Sequence, residues 1–318
     1  MKSISLLSCL LGLLLFSNSA LARRAKPGRP PVDGKIWYVA SADGKRVLLE
    51  KDKDKTWSIA SLSKMMAILV IVEQGLNLND KTTLTDSDWA LSAGGSRTRL
   101  KRKIPYPNRD LLHAALLGSD NRAVLGLGRA VGLNAQALTV KMNARARAMG
   151  LKITTFMDPT GIAHENVSTA WEVGRILKAT SENKTISDVM QTVTYTVVEK
   201  PGNRQIVYNN TNILTRESGR RKVLAGKTGF NSSAGYCVAT LMEVPGFGPL
   251  VFVVLGSSGM YQRFADVNAL RAELERIRAK ASREQVAATP VKTVPENRNR
   301  VEPVQMRSEK RSQSPASK

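Results

Sequence analysis

Ser61 and Lys64 stand three residues apart in Ser61-Leu62-Ser63-Lys64, where a run rich in Met, Ile, Leu and Val begins. On a helix that spacing puts both side chains on one face, and a serine at the helix start lies among the unpaired N–H groups of its positive end. A free serine hydroxyl is a weak nucleophile. It needs a base within hydrogen-bond reach, and a lysine serves as one only when burial or a second cation lowers its pKa. The spacing alone is a weak signal, because Ser181-Glu182-Asn183-Lys184 also fits it in a polar stretch suited to a capping serine and a solvated lysine.

Two further elements follow in chain order. Ser119-Asp120-Asn121 falls in a connection between two predicted helices, and Lys227-Thr228-Gly229 falls within a predicted strand. The ordered trio S-x-x-K, S-D-N and K-T-G is a signature of serine acyl-transferases, found in class A β-lactamases and penicillin-binding proteins. Its expected roles are these. Ser61 Oγ attacks a carbonyl, and Lys64, desolvated and crowded by the charge of Lys227, takes its proton. Ser119 relays a proton between the lysines and a leaving amine, Asn121 orients the substrate backbone, and Asp120 props the loop. Lys227 and Thr228 suit a substrate carboxylate, and Gly229 lets a substrate peptide lie alongside as an added strand. The N–H groups of Ser61 and Phe230 are the expected oxyanion hole.

On these motifs the chain resembles the low-molecular-mass penicillin-binding proteins, which are serine D-alanyl-D-alanine peptidases. Within them it looks most like the D-alanyl-D-alanine endopeptidases typified by penicillin-binding protein 7. The resemblance covers residues 35–280 and includes Asp158-Pro159-Thr160-Gly161, Asn166-Val167-Ser168-Thr169-Ala170, the run from Lys227 to Cys237, and Phe264-Ala265-Asp266. It implies a periplasmic enzyme that acts on the peptide stems of peptidoglycan and is acylated by β-lactams, with no cofactor. It also implies that Arg263 helps hold the substrate carboxylate.

Phe230 stands where carboxypeptidases of the family commonly carry His, and only 38 residues follow Lys280, where carboxypeptidase relatives carry a second β domain and an anchor. Both features favour endopeptidase over the alternative, removal of terminal D-Ala. A class A β-lactamase needs a Glu in an E-x-x-L-N context to activate the deacylating water. Glu165 and Glu172 lack that context, so a long-lived penicillin adduct is expected. The other alternative is a non-catalytic wall-binding protein, and the intact trio argues against it.

The elements that must position these residues can be read from periodicity. Ile36–Ser41 and Arg46–Glu50 form a predicted hairpin around Asp43-Gly44, and Ser61–Gln74 is a buried helix. Helical patterns fill 109–117, 121–130, 135–149 and 170–180, an α-rich insertion over about 76–180. Strand patterns return at 192–198, 205–208, 223–230, 236–244 and 250–255, before helical spacing from Phe264 to Ile277. The expected fold is α+β and DD-peptidase/β-lactamase-like: an antiparallel sheet shared by both chain ends and flanked by helices, with the α-rich block inserted.

Composition sets the surroundings. Lys2, the apolar run Ile4–Phe16 and Ala20-Leu21-Ala22 read as a signal peptide over 1–22, cut after Ala22, so export to the periplasm is expected. Residues 23–34 form a basic Pro/Gly linker, 35–280 the peptidase domain, and 281–318 a polar basic tail expected to be disordered. The net charge of +22, together with six basic residues between Ser96 and Asp110, suits peripheral association with an anionic wall or membrane surface. Export and the scarcity of aromatics exclude nucleic acid as the partner. Only Cys237 remains after the cut, so no intrachain disulfide forms. His113 and His164 lack any metal-binding spacing, so no metal site is expected.

Overall fold

Both ends of the described chain meet in one sheet because their strands are apolar on both faces. The structure is a computed structural model that describes residues 30–96, 98–217 and 222–288. The expected signal peptide, most of the linker and the tail beyond 288 lie outside these residues. In chain order, β1 (Ile36–Ser41) and β2 (Val47–Lys51) form the N-terminal hairpin, and β3 (Trp57–Ser58) leads into a 3-10 turn, Ala60–Leu62, and α1 (Ser63–Glu73). β4 (Lys81–Thr83), α2 (Asp86–Leu91), β5 (Pro105–Pro107), α3 (Asn108–Leu117), α4 (Asn121–Ala130) and α5 (Ala135–Ala148) follow. Then come β6 (Val167–Ser168), α6 (Ala170–Glu182), α7 (Lys184–Gln191) and the hairpin β7 (Thr194–Glu199) and β8 (Arg204–Asn209). β9 (Val223–Asn231), β10 (Gly235–Val244), β11 (Gly248–Ser257) and α8 (Gln262–Ala288) complete the order.

The main sheet has the order β2-β1-β11-β10-β9 and is antiparallel throughout, with Ile36 opposite Leu255 and Ser41 opposite Leu250. Period-two alternation splits each central strand between two cores. Ile36, Tyr38, Val251, Val253 and Leu255 pack with α1 and α6, whereas Trp37, Val39, Phe252 and Val254 pack with Phe264, Val267, Leu270 and Leu274 of α8. This double burial is why Leu250–Leu255 reads as an unbroken apolar run. Likewise every residue of α1 from Ser63 to Ile71 is buried, as its lack of a polar stripe requires.

The inserted helical block packs on the sheet, since Leu111, Leu116, Val124 and Leu138 share one core with Ile36 and Tyr38. It also extends past residue 180, through α7. The β7–β8 hairpin is a two-stranded sheet of its own. Finally, α8 runs past Lys280 to Ala288 into the expected disordered tail, through a stretch of good helix formers without Gly or Pro. The described chain divides near this point, into one unit ending at Arg276 and a second beginning at Ile277.

Candidate active site

Ser61, Ser96, Gly118, Ser119, Thr211, Thr228, Gly229, Phe230, Tyr236, Met260 and Arg263 line a cavity of about 330 Å³. Ser61, expected to open the helix, sits in the 3-10 turn two residues before α1 starts at Ser63, and the turn opens on Ala60 at φ 46°. A left-handed alanine is costly, and here it lifts the serine out of the core while Ala60 itself is fully buried. The three-residue spacing to Lys64 survives. Lys64 Nζ lies 2.8 Å from Ser61 Oγ and donates to the Thr160 carbonyl at 2.6 Å.

Lys64 has no exposed surface. Burial lowers its pKa to about 7, against a partial rise from the charges of Asp158 and Asp120. Lys227, on β9, is nearly as buried, and its Nζ donates to Ser119 Oγ at 2.9 Å and to Thr228 O at 2.9 Å. Burial pushes Lys227 well below the ordinary lysine range, followed by the like charges of Lys64 and Arg263. The like charge of Lys64 helps to lower Lys227, whereas Lys64 itself is lowered by burial and not by the charge of Lys227 expected to crowd it.

Ser119 holds the second left-handed non-glycine backbone of the site, at φ 57°, directly before α4. Asp120 caps that helix by accepting from Arg122 N at 3.0 Å and Ala123 N at 3.3 Å, and it bonds the Thr98 hydroxyl. Its role as a prop for the loop is thus visible. Asn121 is buried beneath Gly95, so close that a Cβ on Gly95 would meet its Nδ2 at 1.8 Å. The Asn121 Oδ1 has no hydrogen-bond partner among the described residues.

β9 is the edge strand of the sheet, so one row of its backbone groups faces away from β10 toward the Ser61 turn. Gly229 has a further role within the protein. A Cβ on it would lie 2.8 Å from Ile59 O and 3.3 Å from Ser61 N, so the glycine is required by the protein's own turn. Thr228 Oγ1 donates to Thr211 Oγ1 at 2.8 Å. Phe230 is 54% exposed and stacks on Tyr236 with ring centroids 4.2 Å apart. Arg263, at the start of α8, is 6% exposed and donates through Nη1 to Gly229 O at 3.2 Å and, more weakly, to Cys237 O at 3.5 Å. Burial lowers its pKa to about 10.

The Thr160 carbonyl is the component that motif reading did not assign. Asp158 accepts from Thr160 N at 2.7 Å, Thr160 Oγ1 at 2.6 Å, Gly161 N at 2.9 Å and Ala163 N at 2.8 Å, which ties the loop into one shape. Asn166, fully buried, donates to Ser63 Oγ at 2.9 Å and to Asp158 O at 2.8 Å, joining that loop to the start of α1. The Asp-Pro-Thr-Gly sequence signals an Asx-type turn, but not where its carbonyl points.

Neither glutamate weighed as a water activator is placed for that task. Glu172 accepts from the backbone N–H groups of Lys152, Ile153 and Thr154 at 2.7 to 3.0 Å, and Glu165 is exposed beside His164. Cys237 is free and buried, its thiol pushed up to about 12. Among the described residues no cluster of three His, Cys, Asp or Glu could hold a metal. The arrangement as a whole can activate a hydroxyl, place its attack beside an edge strand and move protons through two buried amines.

Residues 23–259 match the family model described as D-alanyl-D-alanine carboxypeptidase, peptidase S11. The chain is 32% identical to a D-alanyl-D-alanine endopeptidase of Pseudomonas aeruginosa over 82% of its length and 86% of the relative's. It is 30% identical to a D-alanyl-D-alanine endopeptidase of Escherichia coli K12 over 86% and 88%. The structure is similar to that of the Streptomyces K15 DD-transpeptidase, with a TM-score of 0.70 at 26% identity, covering 77% of this chain and 98% of that one.

Proposed function

The chain belongs to the peptidase S11 family of D-alanyl-D-alanine carboxypeptidases, and from that premise we propose that it is a penicillin-sensitive serine endopeptidase that opens the D-alanyl cross-links of peptidoglycan. One observation carries the reading: the buried Lys64 amine, its pKa near 7, sits 2.8 Å from Ser61 Oγ. A large fraction of it is uncharged at neutral pH, so its lone pair can accept the serine proton while an N–H still bonds Thr160 O.

In acylation Ser61 Oγ attacks the D-alanyl carbonyl carbon as Lys64 takes its proton. The developing oxyanion is received by the N–H groups of Ser61 and Phe230. Collapse breaks the C–N bond, and Ser119, bonded to Lys227, delivers a proton to the departing amine and regains one from the lysine pair. The Thr228 hydroxyl and the buried guanidinium of Arg263, which keeps its charge at neutral pH, favour a carboxylate on the leaving residue. Water activated by Lys64 then attacks the ester, and the proton returns to Ser61 Oγ. Asn121, whose Oδ1 has no hydrogen-bond partner among the described residues, orients the substrate amide.

Endopeptidase is preferred because the relatives named so match over most of their length. Removal of terminal D-Ala is the second reading, favoured by the description of the family model. Substrate and family place the enzyme outside the cytoplasm. The sequence of residues 1–22 supports the periplasm, and the net charge of +22 supports peripheral association with anionic wall polymer.

Digestion of purified peptidoglycan and of a soluble pentapeptide by wild type and Ser61→Ala, read by mass spectrometry, tests the reading. Serine-dependent loss of cross-linked dimers supports endopeptidase. D-Ala release from the pentapeptide alone would replace it with carboxypeptidase, and no Ser61-dependent product from either would refute both.

A further inference from the structure

Beyond the polar machinery, one wall of the cavity is apolar and open. Phe230, Tyr236 and Met260 line it together with Arg263, and Phe230 and Met260 keep 54% and 48% of their surface exposed. Tyr261, next in the chain, is 67% exposed. Large apolar side chains left in water around a polar centre mark a contact surface. This one is held rigidly. Phe230 and Tyr236 are directly opposed across β9 and β10, stacked at 4.2 Å, and the Arg263 guanidinium lies 5.6 Å from the Tyr236 ring on one side and 4.8 Å from the Phe264 ring on the other.

The wall's position says which part of a substrate it meets. It shares the cavity with Thr228 and Arg263, the groups assigned above to the carboxylate of the leaving residue. A terminal D-Ala would leave with only a methyl group to offer this wall. A cross-link leaves with an amine carried on the long aliphatic side chain of a diamino acid, attached to a second stem peptide. Only the latter brings a methylene chain to the aromatic faces.

We propose that Phe230, stacked on Tyr236 and flanked by Met260, is a specificity-determining residue that binds the aliphatic chain of the leaving diamino acid and so favours cross-linked dimers over free pentapeptides. The proposal rests on the peptidase reading above and names the substrate feature that the site selects. Phe230 contributes to the reaction through its backbone N–H, which a side-chain substitution retains. The selectivity is therefore separable from the oxyanion contact.

The test is kcat/KM for a purified cross-linked muropeptide dimer and for a pentapeptide, using wild type, Phe230→Ala, Phe230→Tyr and Met260→Ala. In Phe230→Ala the dimer-to-pentapeptide ratio is expected to fall about tenfold, the scale of losing one or two methylene contacts. Phe230→Tyr restores most of it, and Met260→Ala gives a smaller fall in the same direction. A Phe230→Ala ratio equal to wild type overturns the proposal, including when both rates drop together, since that pattern reports only a disturbed oxyanion hole. Failure of wild type to cleave the dimer overturns the endopeptidase reading and this proposal with it, which separates the two failures.

Discussion

Gly229 runs so close under Ser61 that a Cβ on it would lie 3.3 Å from the Ser61 nitrogen and 2.8 Å from Ile59 O. The glycine of the third motif and the serine of the first are thereby locked by backbone packing, and the turn cannot retreat without the strand. Gly229→Ala is expected to leave the circular dichroism spectrum native while slowing acylation by benzylpenicillin about a hundredfold, the scale of a misplacement near 1 Å. Acylation at the wild-type rate would show that the turn yields freely.

Lys64 sets the pH dependence. With its pKa lowered from 10.5 to about 7, the amine is protonated and useless as a base in acid, so the acylation rate should rise through pH 7 and level off above it. The stability effect has the same direction. Between pH 7 and 10.5 the unfolded chain binds the lysine proton and the folded chain does not, so folding gains stability as pH rises through that window. Below pH 7 the cost of burying the charge is felt in full. Lys64→Met should therefore abolish acylation and raise Tm at pH 6, and an unchanged Tm would contradict the buried charge.

Asp158 ties the loop that presents the Thr160 carbonyl, and its charge is the largest influence raising the pKa of Lys64. Asp158→Asn removes that charge, so the amine should lose its proton more readily. The acid limb of the acylation profile is expected to move to lower pH while the plateau falls. A limb that stays in place would mean that the carboxylate acts on the loop alone.

Deacylation of a penicillin adduct should be slow, because Glu172 is fully engaged by backbone N–H groups and Glu165 is exposed beside His164. Intact-protein mass spectrometry should find one stable adduct, absent in Ser61→Ala. Rapid multiple turnover of a chromogenic β-lactam would contradict this.

Much of the fold was legible because its signals are local. The runs at 36–41 and 250–255 are apolar on both faces and could only be central strands, and the lack of a polar stripe from Ser63 to Ile71 required a wholly buried helix. The short α2 and α7 escaped notice because a helix of six or eight residues gives too few turns for a period to emerge. Helix α8 continues past Lys280 as far as Ala288, through residues whose polarity suggests disorder but whose helix propensity is high.

The sequence by itself determined the identity of the reacting groups. Serine, lysine and glycine at set spacings are chemical facts that no fold can alter, and their order along the chain named the class of reaction. Only the tertiary structure decided that Gly229 serves the protein's own turn, that the Thr160 carbonyl anchors the base, and that Asn121 lies under Gly95. The Lys64–Thr160 contact joins residues 96 apart in sequence, and all three contacts depend on backbone direction and burial. Neither quantity is written in side-chain type, and burial alone turns an ordinary lysine at position 64 into one that gives up its proton near neutrality.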